Sequence, residues 1–354
     1  MFIFVYVLWF LFALFNLILT RFLMRKFKRK LYINIILIVV EIFASIGCAF
    51  FVMTTPNEFA IIHPLVSVIY IVTFMDAFAR IIYLIFLLVT KKEHNYKHLS
   101  IITIFLSIIF LVYGIINMQL VTPKYINIES EKLNNEYKIV FISDMHIGSS
   151  QSLSTSKNTI NKIKEINPDF VFLGGDIIDT ITKKDDISKV LNEFKDIDAK
   201  KYYIDGNHDV ESKYYDELKQ CLINNDIKIV KDEFISLAPD LTLLGREDDS
   251  VKDRISIDEL INPYVDTYLI ALDHQPFKFK DNCKAKVDLQ LSGHTHAGQL
   301  FPLRMIYDIK IYSYGEYKYN DSILNVSSGA SGWLIPFRTE IGCQFEVINL
   351  KPKN

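Results

Sequence analysis

Four apolar runs fill the first third of the chain, at residues 2–20, 31–53, 61–90 and 99–121. Each is long enough to cross ~30 Å of hydrocarbon as a helix rising 1.5 Å per residue. Backbone in lipid must satisfy its own polar groups, so these runs predict an all-α region of four transmembrane helices over residues 1–121. No comparable run follows residue 121. The mean hydropathy of +0.20 is therefore concentrated in that region. The remainder reads as a water-soluble domain at 137–354, joined through a linker at 122–136.

Charge divides at the same boundary. Residues 1–121 carry ten basic and four acidic side chains, the remainder 29 and 37. Nucleic-acid phosphates are gripped by Lys and Arg, so a mildly acidic domain predicts no nucleic-acid partner. Arg21, Arg25, Lys26, Lys28, Arg29 and Lys30 follow the first run with no basic residue before it, the reverse of a cleaved signal peptide. Lys91, Lys92 and Lys97 separate the third and fourth runs, whereas the segment between the second and third has neither Lys nor Arg. The positive-inside rule then predicts a multi-pass protein of the cell membrane with everything beyond Val121 extracytoplasmic. Three ionisable residues fall inside the runs. Asp76 and Arg80, four apart, predict a mutually neutralising pair on one helix face, and Glu41 has no evident partner. Cys48, Cys221, Cys283 and Cys343 form no CxxC pair and are expected to be unpaired.

From Tyr137 onward short apolar runs alternate with amphipathic stretches. Residues 138–143, 170–173, 202–205, 268–272 and 288–292 read as strands, and 156–166, 187–194 and 212–222 as helices. That alternation predicts a layered α/β fold, in which loops leaving the carboxyl ends of the strands carry the site. The polar signals lie in those loops: Ser143-Asp144-Met145-His146, Gly174-Gly175-Asp176-Ile177-Ile178-Asp179, Asp205-Gly206-Asn207-His208-Asp209, Asp273-His274-Gln275 and Gly293-His294-Thr295-His296-Ala297-Gly298-Gln299. Of eight histidines, the five beyond residue 121 all fall there. Singly each piece has a bland reading as a turn, a cap or a packed imidazole. Jointly they predict a metal site, and mixed carboxylate and imidazole donors suit Mn²⁺, Zn²⁺ or iron better than Ca²⁺ or Mg²⁺.

Asp144-x-His146, Gly175-Asp176, Gly206-Asn207-His208-Asp209, His274 and Gly293-His294-x-His296 together resemble, in order and spacing, the signature of the calcineurin-like metallophosphoesterases. The longer 293–299 motif, with Val326-Ser327-Ser328-Gly329 and Pro336-Phe337-Arg338, looks most like a bacterial branch with membrane-associated phosphodiesterases of the UDP-diacylglucosamine hydrolase type. The resemblance implies a four-layer α-β-β-α sandwich and two divalent metal ions. It implies that Asp144, His146 and His296 hold one metal, that Asn207, His274 and His294 hold the other, and that Asp176 bridges them. A metal-bridging hydroxide would then hydrolyse a phosphomonoester, phosphodiester or pyrophosphate bond. His208 resembles the family's catalytic histidine, with Asp209 orienting it.

Around that set, Asp179 reads equally as a support for a ligand or as a helix cap, and Asp273 as a solvated neighbour. Arg246, Arg304 and Arg338 are candidate phosphate clamps that also read as surface residues. The segment after the last motif mixes Phe301, Leu303, Met305, Ile306, Tyr307, Tyr312, Tyr314, Tyr317 and Tyr319 with Arg304, Lys310 and Lys318. That mixture suits a headgroup interface, hence a phosphorylated small-molecule or lipid-linked substrate, and equally suits plain core packing. Two other readings compete: a membrane sensor or transporter with an accessory phosphoesterase domain, and a metal-bound interaction module without turnover.

Overall fold

The computed structural model describes residues 31–54, 63–90, 96–264 and 266–353. The chain forms two compact units, Met1–Ile115 and Ile116–Asn354.

Three helices are described in the first unit: α1 (Leu31–Thr54), α2 (His63–Thr90) and α3 (Tyr96–Gln119), the last ending in the second unit. They are apolar all round, and Ile35, Phe43, Ile85, Leu88, Ile101 and Phe105 are exposed. A helix apolar all round is either packed within protein or spans a membrane. Two stretches are long and apolar enough to cross a membrane, Ile69–Thr90 and Ile101–Gln119, whereas the apolar part of α1 is the shorter Ile35–Ala49. Four spans are therefore not supported: two stretches qualify among the described residues, α1 contributes only Ile35–Ala49, and run 2–20 with its basic loop lies outside them. The charges inside the apolar runs have a fuller arrangement than the sequence suggests. Arg80 Nη2 is 2.7 Å from Asp76 Oδ2, and its Nε is 3.1 Å from Glu41 Oε2. Thr103 Oγ1 donates to Asp76 Oδ1 at 2.7 Å. Glu41 thus does have a partner, and four buried side chains join three helices.

The second unit is built on two six-stranded sheets. The first contains, in spatial order, β1 (Thr122–Ser130), β12 (Gln344–Pro352), β2 (Tyr137–Ile142), β3 (Phe170–Leu173), β4 (Lys200–Tyr203) and β5 (Ile227–Ile229). The second runs β10 (Gly315–Tyr319), β11 (Ser322–Val326), β9 (Leu289–Ser292), β8 (Tyr268–Leu272), β7 (Leu241–Gly245) and β6 (Glu233–Ala238). Side chains alternate across a strand, and the two cores follow that period. Ile139, Phe141, Phe170 and Phe172 face Leu241, Leu243, Ile270 and Leu291 between the sheets. Val140, Ile142, Val171 and Leu173 face Ile160 and Ile163 of α4 (Leu153–Ile166), Ile187 and Val190 of α5 (Lys184–Leu191), and Leu222 of α7 (Tyr215–Asn224). Each such side chain contributes about 1.5–3 kcal/mol on burial. The outer face of the second sheet is covered more thinly. Leu244, Leu269 and Ala271 pack there on Ile257 and Val287, with only a 3₁₀ turn at Ile257–Glu259 and the short α8 (Phe279–Asn282) above.

The expected linker is the main departure in this unit. Residues 122–130 form β1, paired in parallel with β12 over its whole length, from Thr122↔Gln344 to Ser130↔Pro352. Only Leu120 and Val121 separate the end of α3 from that strand. Within each sheet β2–β3–β4–β5 and β7–β8–β9–β11 are parallel. Their carboxyl ends therefore point the same way in each layer and gather the polar loops.

Candidate metal centre

Backbone hydrogen bonds knit the loops together before any side chain contributes. Asp144 N donates to Gly175 O at 3.0 Å, His146 N to Asp176 O at 3.1 Å, Gly293 N to His274 O at 2.9 Å and Ser331 N to Asp144 O at 2.9 Å. Asp144, His146, Asp176, His294 and His296 all adopt positive φ, between 40° and 72°. Residues other than Gly rarely sit there, and such strain persists where the surroundings over-determine it, typically at functional sites. Several approaches are closer than a side chain permits, two of them at carboxylate oxygens. A Cβ on Gly206 would stand 2.2 Å from Asp176 Oδ1, and one on Gly293 would stand 2.3 Å from Asp144 Oδ2.

Two groups of donors result: Asp144, His146 and His296, and Asp176, His274 and His294, the donor atoms of each lying within 4.8 Å of one another. Proton placement argues for a cation in each. His274 Nδ1 lies 2.7 Å from Gly174 O, and a carbonyl only accepts, so Nδ1 carries the proton. His274 Nε2 is then the ring atom left to hold a cation; it faces Asp176 Oδ2 at 3.0 Å, and both atoms are buried without a hydrogen-bond partner. His296 Nδ1 faces Ser331 O at 3.2 Å in the same manner, which aims its Nε2 at His146 Nε2, 3.3 Å away, and at Asp144 Oδ1, 3.6 Å away. Asn207 Oδ1 is likewise buried and unpartnered. Lone pairs converging without donors are what a pair of divalent ions would satisfy, and carbonyls that fix the imidazole tautomer are a common support for ligating histidines.

The titration behaviour reflects the same crowding. Burial alone would lower His274, but the Asp176 carboxylate holds it well above its ordinary value. Burial and the neighbouring His274 push His294 down to about 4, and burial with His146 and Arg338 pushes His296 well below its usual range. The imidazoles cannot all be protonated together. Metal charge suits such a cluster better than protons.

Several neighbours differ from expectation. Asp209 does not orient His208. Its carboxylate accepts from Ile178 N at 2.9 Å, Gly206 N at 3.1 Å and Tyr203 Oη at 2.8 Å, pinning the loop after β4 to the loop after β3. Burial and the Asp176 charge raise it to about 8. His208 is held instead by its backbone N–H, which donates to Asp176 Oδ1 at 2.9 Å, and by ring contacts with Trp333 and His146 at 5.1 and 5.4 Å between centroids. Asp179 fills the first of its readings and not the second: Oδ2 faces His146 Nδ1 at 3.5 Å, while Oδ1 accepts from Ile181 N and Thr182 N of a turn, the N-cap of α5 being Lys183. Asp273 is buried rather than solvated, and its Oδ2 is 2.6 Å from Arg254 Nη2 and accepts from Asn282 Nδ2 at 2.8 Å.

The clamp candidates are likewise turned to other tasks. Arg338 is fully buried and donates to the carbonyls of His296, Ser328 and Ser331, which fixes the 296 loop. Arg246 is buried against Asp232, and Arg304 lies 3.7 Å from Asp308 and over the Tyr314 ring. Sequence reasoning missed Trp333, whose role is visible only once two distant loops meet. It also missed Asn117, at the end of α3, whose Nδ2 donates to Arg338 O at 3.1 Å and Glu340 O at 3.2 Å. All four cysteines are unpaired.

The sequence model of the family described as calcineurin-like phosphoesterase matches residues 137–298, from the first residue of β2 through the His296 loop. An uncharacterised metallophosphoesterase of Campylobacter jejuni is 31% identical over 303 residues, 80% of this chain and 79% of that one. One of Helicobacter pylori is 31% identical over 249 residues, and the chain spans 64% of its length and aligns over 66% of its own. A Danio rerio protein named transmembrane protein with metallophosphoesterase domain is 27% identical over 274 residues, 71% of this chain and 62% of that one. The chain belongs to the calcineurin-like phosphoesterase family, whose members are metal-dependent phosphoesterases working through a dinuclear divalent centre.

Proposed function

We propose that the chain is a membrane-anchored phosphoesterase that hydrolyses a phosphoester or pyrophosphate bond at a two-metal centre, on a lipid-linked substrate. The observation that carries the catalytic part is the pair of donor groups whose lone pairs converge on each other. Asp144, His146 and His296 would hold one ion, Asn207, His274 and His294 the other, with Asp176 between them. Two such ions supply charge neutralisation at the phosphoryl oxygens and a more acidic water as nucleophile. The protein's own groups do the rest. Asp179 and the carbonyls of Gly174 and Ser331 keep the imidazoles aimed. His208, packed on Trp333, donates a proton to the leaving-group oxygen as the P–O bond breaks.

Support for a lipid-linked substrate comes from the segment after the 294–296 motif. Its apolar residues divide. Leu303 is fully buried in α9 (Leu303–Tyr307), and Tyr312 packs on Tyr317 and Phe279, so these belong to the core. Met305 at 61% and Ile309 at 79% exposure face outward beside Arg304 and Lys310, a mixture suited to a lipid headgroup region. The enzyme is expected to cleave a vesicle-presented phosphoester at least about tenfold faster than a short-chain analogue with the same headgroup. The Met305→Asp/Ile309→Asp variant should lose that preference while keeping its rate on the soluble analogue. Equal wild-type rates on both substrates defeat the lipid reading.

An extracytoplasmic catalytic unit is supported by the basic residues between the apolar runs, which the positive-inside rule assigns to the cytoplasm. A protease that cannot cross membranes, added to intact cells, should cut within residues 137–354. Protection in intact cells with cleavage after lysis would reverse the orientation.

A further inference from the structure

A cavity of about 490 Å³ lies on the second sheet's side of the molecule, walled by the connection between β7 and β8 and by residues around α8. Ligand pockets commonly fall in the ~300–1,000 Å³ range. Among its described residues, the connection at 246–267 has only one 3₁₀ turn. Irregular segments longer than ~12–15 residues in a compact domain are usually functional.

The lining is polar and carries more cations than it pairs. Five basic side chains face three carboxylates, Asp249, Asp258 and Asp281. Lys284 lies within 3.4 Å of both Asp258 and Asp281, and Arg254 reaches Asp249 and Asp273. Lys252 and Lys278 enter no ion pair among the described residues. Arg246, 3% exposed, contacts Asp232 through Nη1 and donates from Nη2 to Ile255 O at 2.7 Å, while its Nε is buried without a hydrogen-bond partner. Arg246 therefore keeps a buried cation in the wall beside two ammonium groups that have no ion pair among the described residues. A guanidinium with ammonium groups around it is the recognition chemistry of a phosphate or carboxylate.

We propose that this cavity is an anion-recognition site, separate from the metal centre, that takes a phosphate or carboxylate group through Arg246, Lys252 and Lys278. It is tied to the catalytic loops by chain connectivity, since Arg254 in its wall holds Asp273, the residue before His274. The anion comes either from a second charged group of the substrate or from a free ion.

The test is lysine acetylation of the full, metal-loaded chain in detergent, read residue by residue by mass spectrometry, with inorganic phosphate as the probe. Labelling of Lys252 and Lys278 should fall by at least about fivefold at saturation, because a bound anion sequesters the ammonium groups. Lys138 and Lys200, exposed at the start of β2 and β4, serve as controls whose labelling stays unchanged. Equal labelling of all four with and without phosphate overturns the proposal. The footprint needs no turnover, so it stands or falls separately from the hydrolase reading.

Kinetics of Lys252→Ala/Lys278→Ala then assign the source. About a tenfold rise in KM for a diester bearing a second anionic group, with bis(p-nitrophenyl) phosphate unaffected, assigns the substrate. A change of wild-type kcat on bis(p-nitrophenyl) phosphate with added phosphate, absent in the variant, assigns a free ion.

Discussion

Asp176→Asn is expected to reduce the metal content from two ions per chain to one or none and to lower kcat/KM by about 10³-fold or more. The substitution preserves volume and removes one negative charge from a buried cluster. Asp176 Oδ2 faces His274 Nε2 at 3.0 Å and lies 3.9 Å from His146 Nε2, so this one carboxylate stands beside a histidine of each donor group. Its carboxyl is held well below the ordinary range: burial opposes ionisation, and the neighbouring imidazoles, His274 first, overcome it. Elemental analysis of the purified variant alongside a phosphodiesterase assay reads both effects. Normal loading of two metals in Asp176→Asn would remove the bridging role.

His208→Ala separates chemistry from assembly. Metal content should remain at two ions per chain, because the His208 ring belongs to neither donor group, while kcat drops by about 10²–10⁴-fold. The loss should be smaller for a p-nitrophenyl ester than for an alkyl ester, since a good leaving group needs less protonation. A loss equal for both leaving groups, with metals retained, would deny His208 the role of proton donor. Loss of a metal would make it a structural support of Asp176.

The part of this site that was legible in the sequence shares one property: each element sits directly behind a strong apolar strand. Phe170–Leu173 and Tyr268–Leu272 are buried throughout, and the sequence gives their bounds as the structure has them. The loops after them then carry Asp176 and His274. What the sequence concealed depends on partners far along the chain. Asp273 looks solvated until Arg254, nineteen positions earlier, is folded against it. Asp209 beside His208 suggests a couple, yet its acceptor capacity is taken up by Tyr203, Gly206 and Ile178. β1 escaped because an edge strand reading Thr-Pro-Lys-Tyr-Ile-Asn-Ile-Glu-Ser buries little, and its half-exposed alternation resembles a tether. β5 has three residues, too few for any periodic signal.

The placement of β12 bears on how the protein is made. It enters between β1 and β2, strands that are neighbours in sequence and have no ladder to each other. While the ribosome is still translating the middle of the chain, β1 has emerged with no sheet to join, and the edge of β2 that β12 will cover stays open. Pairing Thr122 with Gln344 closes a loop of more than two hundred residues, and such closures are slow. The nascent phosphoesterase unit therefore spends most of its synthesis with an exposed sheet edge, a state prone to wrong pairing. A ribosome stalled before residue 344 should hold a chain whose metal-binding loops are all present and whose first sheet cannot yet close.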